Sequence, residues 1–261
     1  MRKLFFTLPV ALVVGLTCYS CADRVVEEPS SDRTNQFAYF PLEIGRKNTY
    51  IIDSIIFLPG SGGIIRDSSR VWLLDAVADT FRDQEGHLVF AVERWERRGP
   101  GADSAWQYKN TWFAFRTDGQ AVRTEDNFRF LPLIFPMDSR SAWNGNAWID
   151  PFSTIEVGGQ TLAPFQGWTY QVDEIDIAGE IGGQNFDSLL VVTEADEDNL
   201  IERRFSRSKY ARNIGLVERE VWILDSQYCN QMPSPPDCAT KPWFDKAEAG
   251  FVIKMTIVDH Q

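Results

Sequence analysis

Two histidines, four cysteines and 37 acidic side chains are the groups in this 261-residue chain whose types could do chemistry. A Ser-His-Asp site would have to use His87 or His260. His87 lies in Asp83-Gln84-Glu85-Gly86-His87, a turn composition, and His260 stands next to the carboxyl terminus. Neither is near a Gly-x-Ser-x-Gly elbow, so both read as exposed, non-catalytic histidines. Glu194-Ala195-Asp196-Glu197-Asp198-Asn199 has enough carboxylates for Ca²⁺ but lacks the glycine and distal glutamate of an EF-hand loop, and it reads as a solvated hairpin tip. Gly60-Ser61-Gly62-Gly63 and residues 179–183 lack the Walker lysine and the Rossmann spacing, so they read as loops and imply no cofactor. Carboxylates that could flank a glycosidic bond are abundant, for example Asp173, Glu174 and Asp176, and abundance alone assigns neither an acid nor a base. No catalytic residue and no metal ligand is assigned.

The cysteines are more informative. Met1-Arg2-Lys3 is a basic start, and residues 4–16 are an apolar run too short to span a bilayer comfortably, which is the export-signal pattern. Cys18 and Cys21 follow in Thr17-Cys18-Tyr19-Ser20-Cys21-Ala22. A small residue before a cysteine at the end of such a run resembles the lipobox of bacterial lipoproteins, in which that cysteine becomes the acylated amino terminus. Ser20 before Cys21 fits this better than Thr17 before Cys18, so lipidation is expected at Cys21, with Cys18 the alternative and a plain secretory signal the competing reading. Acyl chains contribute about 0.8 kcal/mol per buried methylene, and more than one chain gives stable anchoring. Residues 22–36, polar and containing Pro29 and paired serines, read as a flexible tether. The expected organisation is a signal over 1–20, a tether over 21–36 and one domain over 37–261, lipid-anchored at the outer membrane.

Cys229 and Cys238 close a Pro-rich stretch, Asn230-Gln231-Met232-Pro233-Ser234-Pro235-Pro236-Asp237. Outside the cytoplasm two cysteines at this spacing predict a disulfide pinning a loop. A metal pair is the alternative, but neither histidine lies nearby in sequence.

The elements that must position any site are strands. In Phe251-Val252-Ile253-Lys254-Met255-Thr256-Ile257 the apolar residues alternate, the half-buried strand pattern. Residues 216–224 repeat it with Val217, Val221 and Ile223 on one face, broken by Arg219. Further strands are predicted over 50–58, 71–81, 88–97, 107–117, 121–123, 168–177, 188–194 and 200–206. Asp118-Gly119 and the residues around 196–199 supply hairpin turns, and a parity switch between Val172 and Ile175 predicts a β-bulge. Residues 241–249 have room for a helical turn after Pro242. Residues 131–149, with two prolines and Asn144-Gly145-Asn146, read as a long ordered loop anchored in the core by Trp143 and Trp148. Helical periodicity is nearly absent, and no internal repeat or mid-chain linker divides the domain.

Net charge is −11, and loss of Arg2 and Lys3 with the signal makes the mature chain more acidic still. That argues against binding a phosphate backbone, so no nucleic-acid partner is expected, and against docking on anionic headgroups. Aromatic residues are 13% of the chain, with nine Trp. Trp106, Tyr108, Trp112, Phe113 and Phe115 crowd one strand, and Trp95 precedes it. Trp95, Trp106, Tyr108, Trp112 and Phe115 are therefore candidates to stack on a sugar or line an apolar pocket; filling the core of a β domain is the alternative.

Three segments carry a family resemblance. Phe40-Pro41-Leu42-Glu43-Ile44-Gly45 leading to Tyr50, then Phe135-Pro136 before Trp143-Asn144-Gly145-Asn146, then Tyr210-Ala211-Arg212-Asn213-Ile214-Gly215-Leu216-Val217 together resemble signatures of a family of single-domain Bacteroidota lipoproteins without established activity. Asn48 stands where that family often has Trp. The resemblance implies an all-β fold: one large antiparallel sheet curled into an open or half barrel with one or two short helices, similar in outline to lipoprotein-localisation carriers. The function expected is a non-enzymatic binding or interaction module for a hydrophobic or glycan ligand. A carboxylate-dependent envelope hydrolase predicts instead two carboxyls roughly 5–10 Å apart across a cleft, and a structural partner of another envelope protein predicts an exposed apolar patch.

Overall fold

The computed structural model describes residues 33–99 and 105–261. The expected export signal, both candidate lipidation cysteines and most of the expected tether lie outside the described residues. Arg33–Gln36, the last four residues assigned to the tether, form one helical turn, α1, that leads into a 3-10 turn at Phe37–Tyr39. Gln36 is buried there: its Nε2 donates to the Met137 carbonyl at 2.8 Å and its Oε1 accepts the Met137 N–H at 2.7 Å. The folded unit thus takes in residues ahead of Phe37.

The rest is antiparallel sheet. In chain order the strands are β1 (Lys47–Gly60), β2 (Gly63–Arg82), β3 (Leu88–Arg97), β4 (Gln107–Arg116), β5 (Gln120–Glu125), β6 (Phe128–Ile134), β7 (Ala142–Trp143), β8 (Ile155–Val157), β9 (Gln160–Leu162), β10 (Tyr170–Ile181), β11 (Gln184–Asp198), β12 (Glu202–Ala211), β13 (Gly215–Asp225) and β14 (Ala249–His260). Twelve of them form one sheet in the order β6-β5-β4-β3-β2-β1-β14-β13-β12-β11-β10-β7, and β8 and β9 make a separate hairpin. Two meanders, β1 to β6 and β10 to β13, are joined because the carboxy-terminal β14 inserts between β1 and β13. Right-handed twist curls so wide a sheet toward closure. Its two edges meet through Leu131 N–H donating to the Gly145 carbonyl at 2.7 Å and Trp143 Nε1 donating to the Leu131 carbonyl at 2.8 Å. The expected single curled antiparallel sheet is the fold observed, nearly closed into a barrel.

The core lies inside the curl, where Val172, Leu190, Val192, Ile223 and Leu133 project from different strands with little or no exposure. Burying each such aliphatic side chain contributes about 1.5–3 kcal/mol. A smaller cluster packs under the second helical turn, α2 (Trp243–Lys246), formed after Pro242 where a turn is predicted; Trp243 joins Phe57, Leu224 and Val252. The disulfide between Cys229 and Cys238 is present, with a Cα–Cα separation of 5.1 Å, in the loop between β13 and α2.

Several expectations are corrected. Within residues 131–149, Leu131 to Ile134 belong to β6 and Ala142–Trp143 form β7. The two prolines do not forbid this, because one lies on an edge strand, where a missing donor costs no ladder bond, and the other lies beyond it. Trp143 is half-buried as expected, but Trp148 is 46% exposed under the Arg129 guanidinium, and Ile149 is the buried residue. The glycines at 60–63 are the tight turn of the long β1–β2 hairpin, and Gly179 to Ile181 continue β10, leaving Gly182 and Gly183 at positive φ as the turn. Register shifts on β10 fall between Val172 and Glu174 and again around Asp176, which takes φ 59°, so the predicted bulge is there and is not alone.

Candidate ligand cleft

Side chains alternate between the two faces of a strand, and the inward face of the curl is not wholly apolar. Paired positions across β1, β2, β3 and β4 place Asn48, Asp75, Arg94 and Asn110 in one row. Arg94 grips Asp75 with both arms of its fork, Nε to Oδ1 at 2.8 Å and Nη2 to Oδ2 at 2.9 Å, and its remaining Nη1 reaches Glu125 on β5. Bidentate charge-assisted pairing of this kind is the strong form of an ion pair. Burial would raise the Glu125 carboxyl, but the Arg94, Arg123 and Arg219 charges outweigh it and hold the group below the ordinary glutamate value.

A second knot lies across β11, β12 and β13. Glu194 is only 2% exposed, and it accepts Ser206 Oγ at 2.5 Å, Ser208 Oγ at 2.7 Å and Arg219 Nη2 at 3.0 Å. Here too burial pushes the carboxyl up, while Arg219 and the two hydroxyls pull it below its ordinary value. Arg219, the residue that breaks the apolar face of 216–224, is therefore an inward-facing cation with a fixed partner.

Above this polar floor opens a small cleft that is continuous with solvent. Phe40, Pro41, Leu42, Val77, Ile214 and Leu216 give it apolar walls, and Asn48, Tyr50, Asp75, Arg94, Trp112, Arg123 and Tyr210 supply its polar surface, with Arg46 also on the lining. The amino-terminal segment that forms one wall is tied down behind the cleft. Tyr39 is fully buried and its hydroxyl donates to Asp176 at 2.6 Å and sits 2.7 Å from Ser188 Oγ, while Arg212 pairs with the same Asp176. Asn213 N–H donates to the Ala38 carbonyl at 2.7 Å, joining that wall to the β12–β13 turn opposite. Tyr50 donates to the Leu216 carbonyl at 2.9 Å. Burial raises its hydroxyl, as it does that of Tyr210, which is pushed up to about 12, so both stay neutral donors.

Not every polar group here has a partner. Trp112 Nε1, Arg123 Nε and Asn48 Oδ1 are buried without a hydrogen bond. Such orphaned groups are uncommon and costly in the folded state unless something satisfies them.

The five candidate aromatics do not form one platform. Trp112 alone of the five lines the cleft, with the Arg94 guanidinium 5.8 Å from its ring centre. Trp95 and the 54%-exposed Tyr108 meet edge to face at 5.5 Å across β3 and β4. Trp106 lies under Arg97 at 4.5 Å. Phe115 is buried with Val89 and Val122, and His87 stacks on it at 4.5 Å. That stacking leaves the His87 side chain 28% exposed, less than its turn composition suggests. Asp83, Glu85 and His87 lie close enough to share a cation, and they form the single such group among the described residues. Asp83 already accepts the backbone N–H groups of Glu85 and His87, which accounts for its place in the turn. The acids around 194–199 are divided by the fold: Glu194 points into the core, and Asp196 and Asp198 pair with Arg203.

No protein-family model and no curated protein matches the chain. Among solved structures, similarity is found to a Bacteroides fragilis protein with a YmcC-like fold that is inferred to be exported, at 10% identity over 85% of this chain and 98% of that one, with a TM-score of 0.37. Weaker similarity is found to a structure from work on the asymmetric conductivity of engineered proteins, at 13% identity over 71% of this chain and 64% of that one, TM-score 0.22. A mutant Rh. blastica porin gives the same identity and coverage with a TM-score of 0.21. Likeness of this extent assigns no function.

Proposed function

We propose that this chain is an exported, lipid-anchored binding protein, without catalytic activity, that takes a small and largely apolar ligand into the cleft on its concave face. Export and anchoring rest on the basic start, the apolar run and Cys21, and a disulfide is in keeping with an oxidising compartment. Kinship with the Bacteroidota lipoproteins rests on the motif residues, and two of the three motifs converge on one place: Phe40, Pro41 and Leu42 form one wall of the cleft and Ile214, Gly215 and Leu216 the other.

The observation that carries the binding reading is the cleft itself: apolar walls over a polar floor on which Asp75 and Arg94 are bound to each other while Arg123 Nε and Trp112 Nε1 have no hydrogen-bond partner. A carboxylate hydrolase needs one acid kept protonated near neutrality. Glu125 and Glu194 are shifted the opposite way by the arginines beside them. Of the candidate aromatics, Trp112 is the one we place against the ligand.

The test is native mass spectrometry of the protein purified from its own envelope. A co-purifying small molecule is expected on the wild type and is expected to disappear when Leu216→Trp fills the cleft. A wild type that carries nothing, or a ligand retained by the filled variant, refutes the reading.

A further inference from the structure

We infer that the ligand enters the cleft carrying a carboxylate head, and that Arg123 and the Trp112 indole N–H receive it. This rests on the cleft being the binding site.

Charge gives the first argument. The chain as a whole is strongly acidic, at −11. The cleft lining nevertheless holds three arginines, Arg46, Arg94 and Arg123, against one carboxylate, Asp75. Cations gathered on one lining of an acidic protein draw in an anion.

The arginines differ in how far they are engaged. Arg94 is committed to Asp75 and Glu125. Arg46 donates through Nη2 to Glu43 at 3.2 Å and through Nη1 to the Asn213 carbonyl. Arg123 is 9% exposed, donates no hydrogen bond to any described residue, and approaches Glu125 only to 3.6 Å. Its guanidinium carbon lies over the Phe130 ring, 5.3 Å from the ring centre. It is a buried cation with an unbonded Nε and only a loose ion pair to Glu125, and a carboxylate's two oxygens match the guanidinium fork. Trp112 contributes a second orphaned donor on the same lining and has no acceptor function, so it too calls for an oxygen on the ligand. A phosphate dianion would need more free cations than this one fork. The walls of Phe40, Leu42 and Leu216 then suit an apolar body behind the head.

The experiment titrates the purified full chain with decanoate, decanol and decyl phosphate, followed by calorimetry and Trp fluorescence. Decanoate is expected to bind at least about tenfold more tightly than decanol, about 1.4 kcal/mol. Arg123→Gln is expected to remove that preference, decanoate then binding no more tightly than decanol, and Trp112→Phe, which keeps the ring and deletes the N–H, to weaken decanoate about three- to fivefold. If Arg123→Gln does not fold, Arg123→Lys keeps the charge without the fork and is expected to retain decanoate binding about fivefold weakened. Equal binding of decanoate and decanol overturns the carboxylate head and leaves the cleft standing. Tighter binding of decyl phosphate overturns the head in favour of a phosphate. Failure of all three to bind overturns the cleft reading beneath it.

Discussion

Removing either partner of the Glu194–Arg219 pair separates a structural ion pair from an ornamental one. Glu194 is 2% exposed and holds three hydrogen bonds, whereas the Arg219 side chain keeps 19% of its surface. The two single variants should therefore be unequal. Arg219→Met strands a nearly fully buried carboxylate and should cost about 3–5 kcal/mol; Glu194→Gln keeps a side chain that still accepts one serine and should cost about 2–3 kcal/mol. The double variant Glu194→Leu with Arg219→Met removes both charges and leaves only Ser206 and Ser208 unserved, at about 1–3 kcal/mol. It is expected to be more stable than the Arg219 single variant, with a coupling energy of at least about 2 kcal/mol. Thermal unfolding reads this directly, since 1 kcal/mol moves the midpoint of a domain of this size by about 2–4 °C. The pH dependence supplies the sign. In the wild type the folded carboxyl titrates below its ordinary value, so its stabilisation is complete above that value and is lost as pH falls through the lowered one. Without Arg219 burial prevails and raises the group, so the variant should gain relative stability as pH falls toward the ordinary glutamate range. Single variants costing under about 1 kcal/mol each, additive in the pair and with the wild-type pH slope, would refute this account of the interior.

Three further outcomes are expected. Cys229→Ser with Cys238→Ser should lower stability by about 2.5–3 kcal/mol through the opened short loop, read by denaturant unfolding with and without reductant. Gly250→Ala should be severely destabilising, by more than about 3 kcal/mol in the same assay, because Gly250 sits at φ 109° and an added Cβ would lie 1.9 Å from the Ile223 carbonyl oxygen. Cys21→Ser should abolish incorporation of labelled palmitate in cells and release the protein from the membrane fraction, while Cys18→Ser leaves both intact.

The strands and the fold class were legible because alternation survives in single strands: the apolar parity of β13 and β14 needs no knowledge of their neighbours. β6 was not legible, since its run Phe128-Arg129-Phe130-Leu131-Pro132-Leu133-Ile134 follows no clean alternation and holds a proline that only an edge position accommodates. The first half of β2 was missed for a related reason. Gly63 to Arg70 is exposed, so it carries no apolar pattern, and pairing with β1 alone makes it a strand. The polar floor left one trace, Arg219 interrupting an apolar face. Its partner Glu194 read as part of a solvated tip, because Asp196, Glu197 and Asp198 beside it are exposed. The cleft left scattered traces, Trp112 among the aromatics and its walls in the motifs at 40–45 and 210–217, with nothing in the sequence to join them. Asn48, Asp75, Arg94, Trp112, Arg123 and Tyr210 come from six different strands, and only the register of the curled sheet brings them together.

The same register makes the ion pairs and the free arginine one arrangement, which a last substitution exposes. Arg94 holds Glu125 by a close Nη1 contact, while Arg123 stays 3.6 Å from that acid. If Asp75→Leu and Arg94→Met are made together, a partly solvated bidentate pair with 10–13% side-chain exposure is replaced by apolar groups of similar length. Such exchanges are commonly neutral or stabilising, so the unfolding free energy should fall by less than about 1 kcal/mol or rise by up to a few. Released from Arg94, Glu125 keeps the cations Arg123 and Arg219, and the loose 3.6 Å pair with Arg123 is expected to close. Carboxylate binding should then drop at least about tenfold although Arg123, Trp112 and the apolar walls are untouched, while decanol binding persists. A variant that is stable and still binds decanoate like the wild type would show that Arg94 does not keep Arg123 free. A variant that is stable and selectively blind to the carboxylate would show that buried charge is retained here to hold a cation open, at no gain in stability.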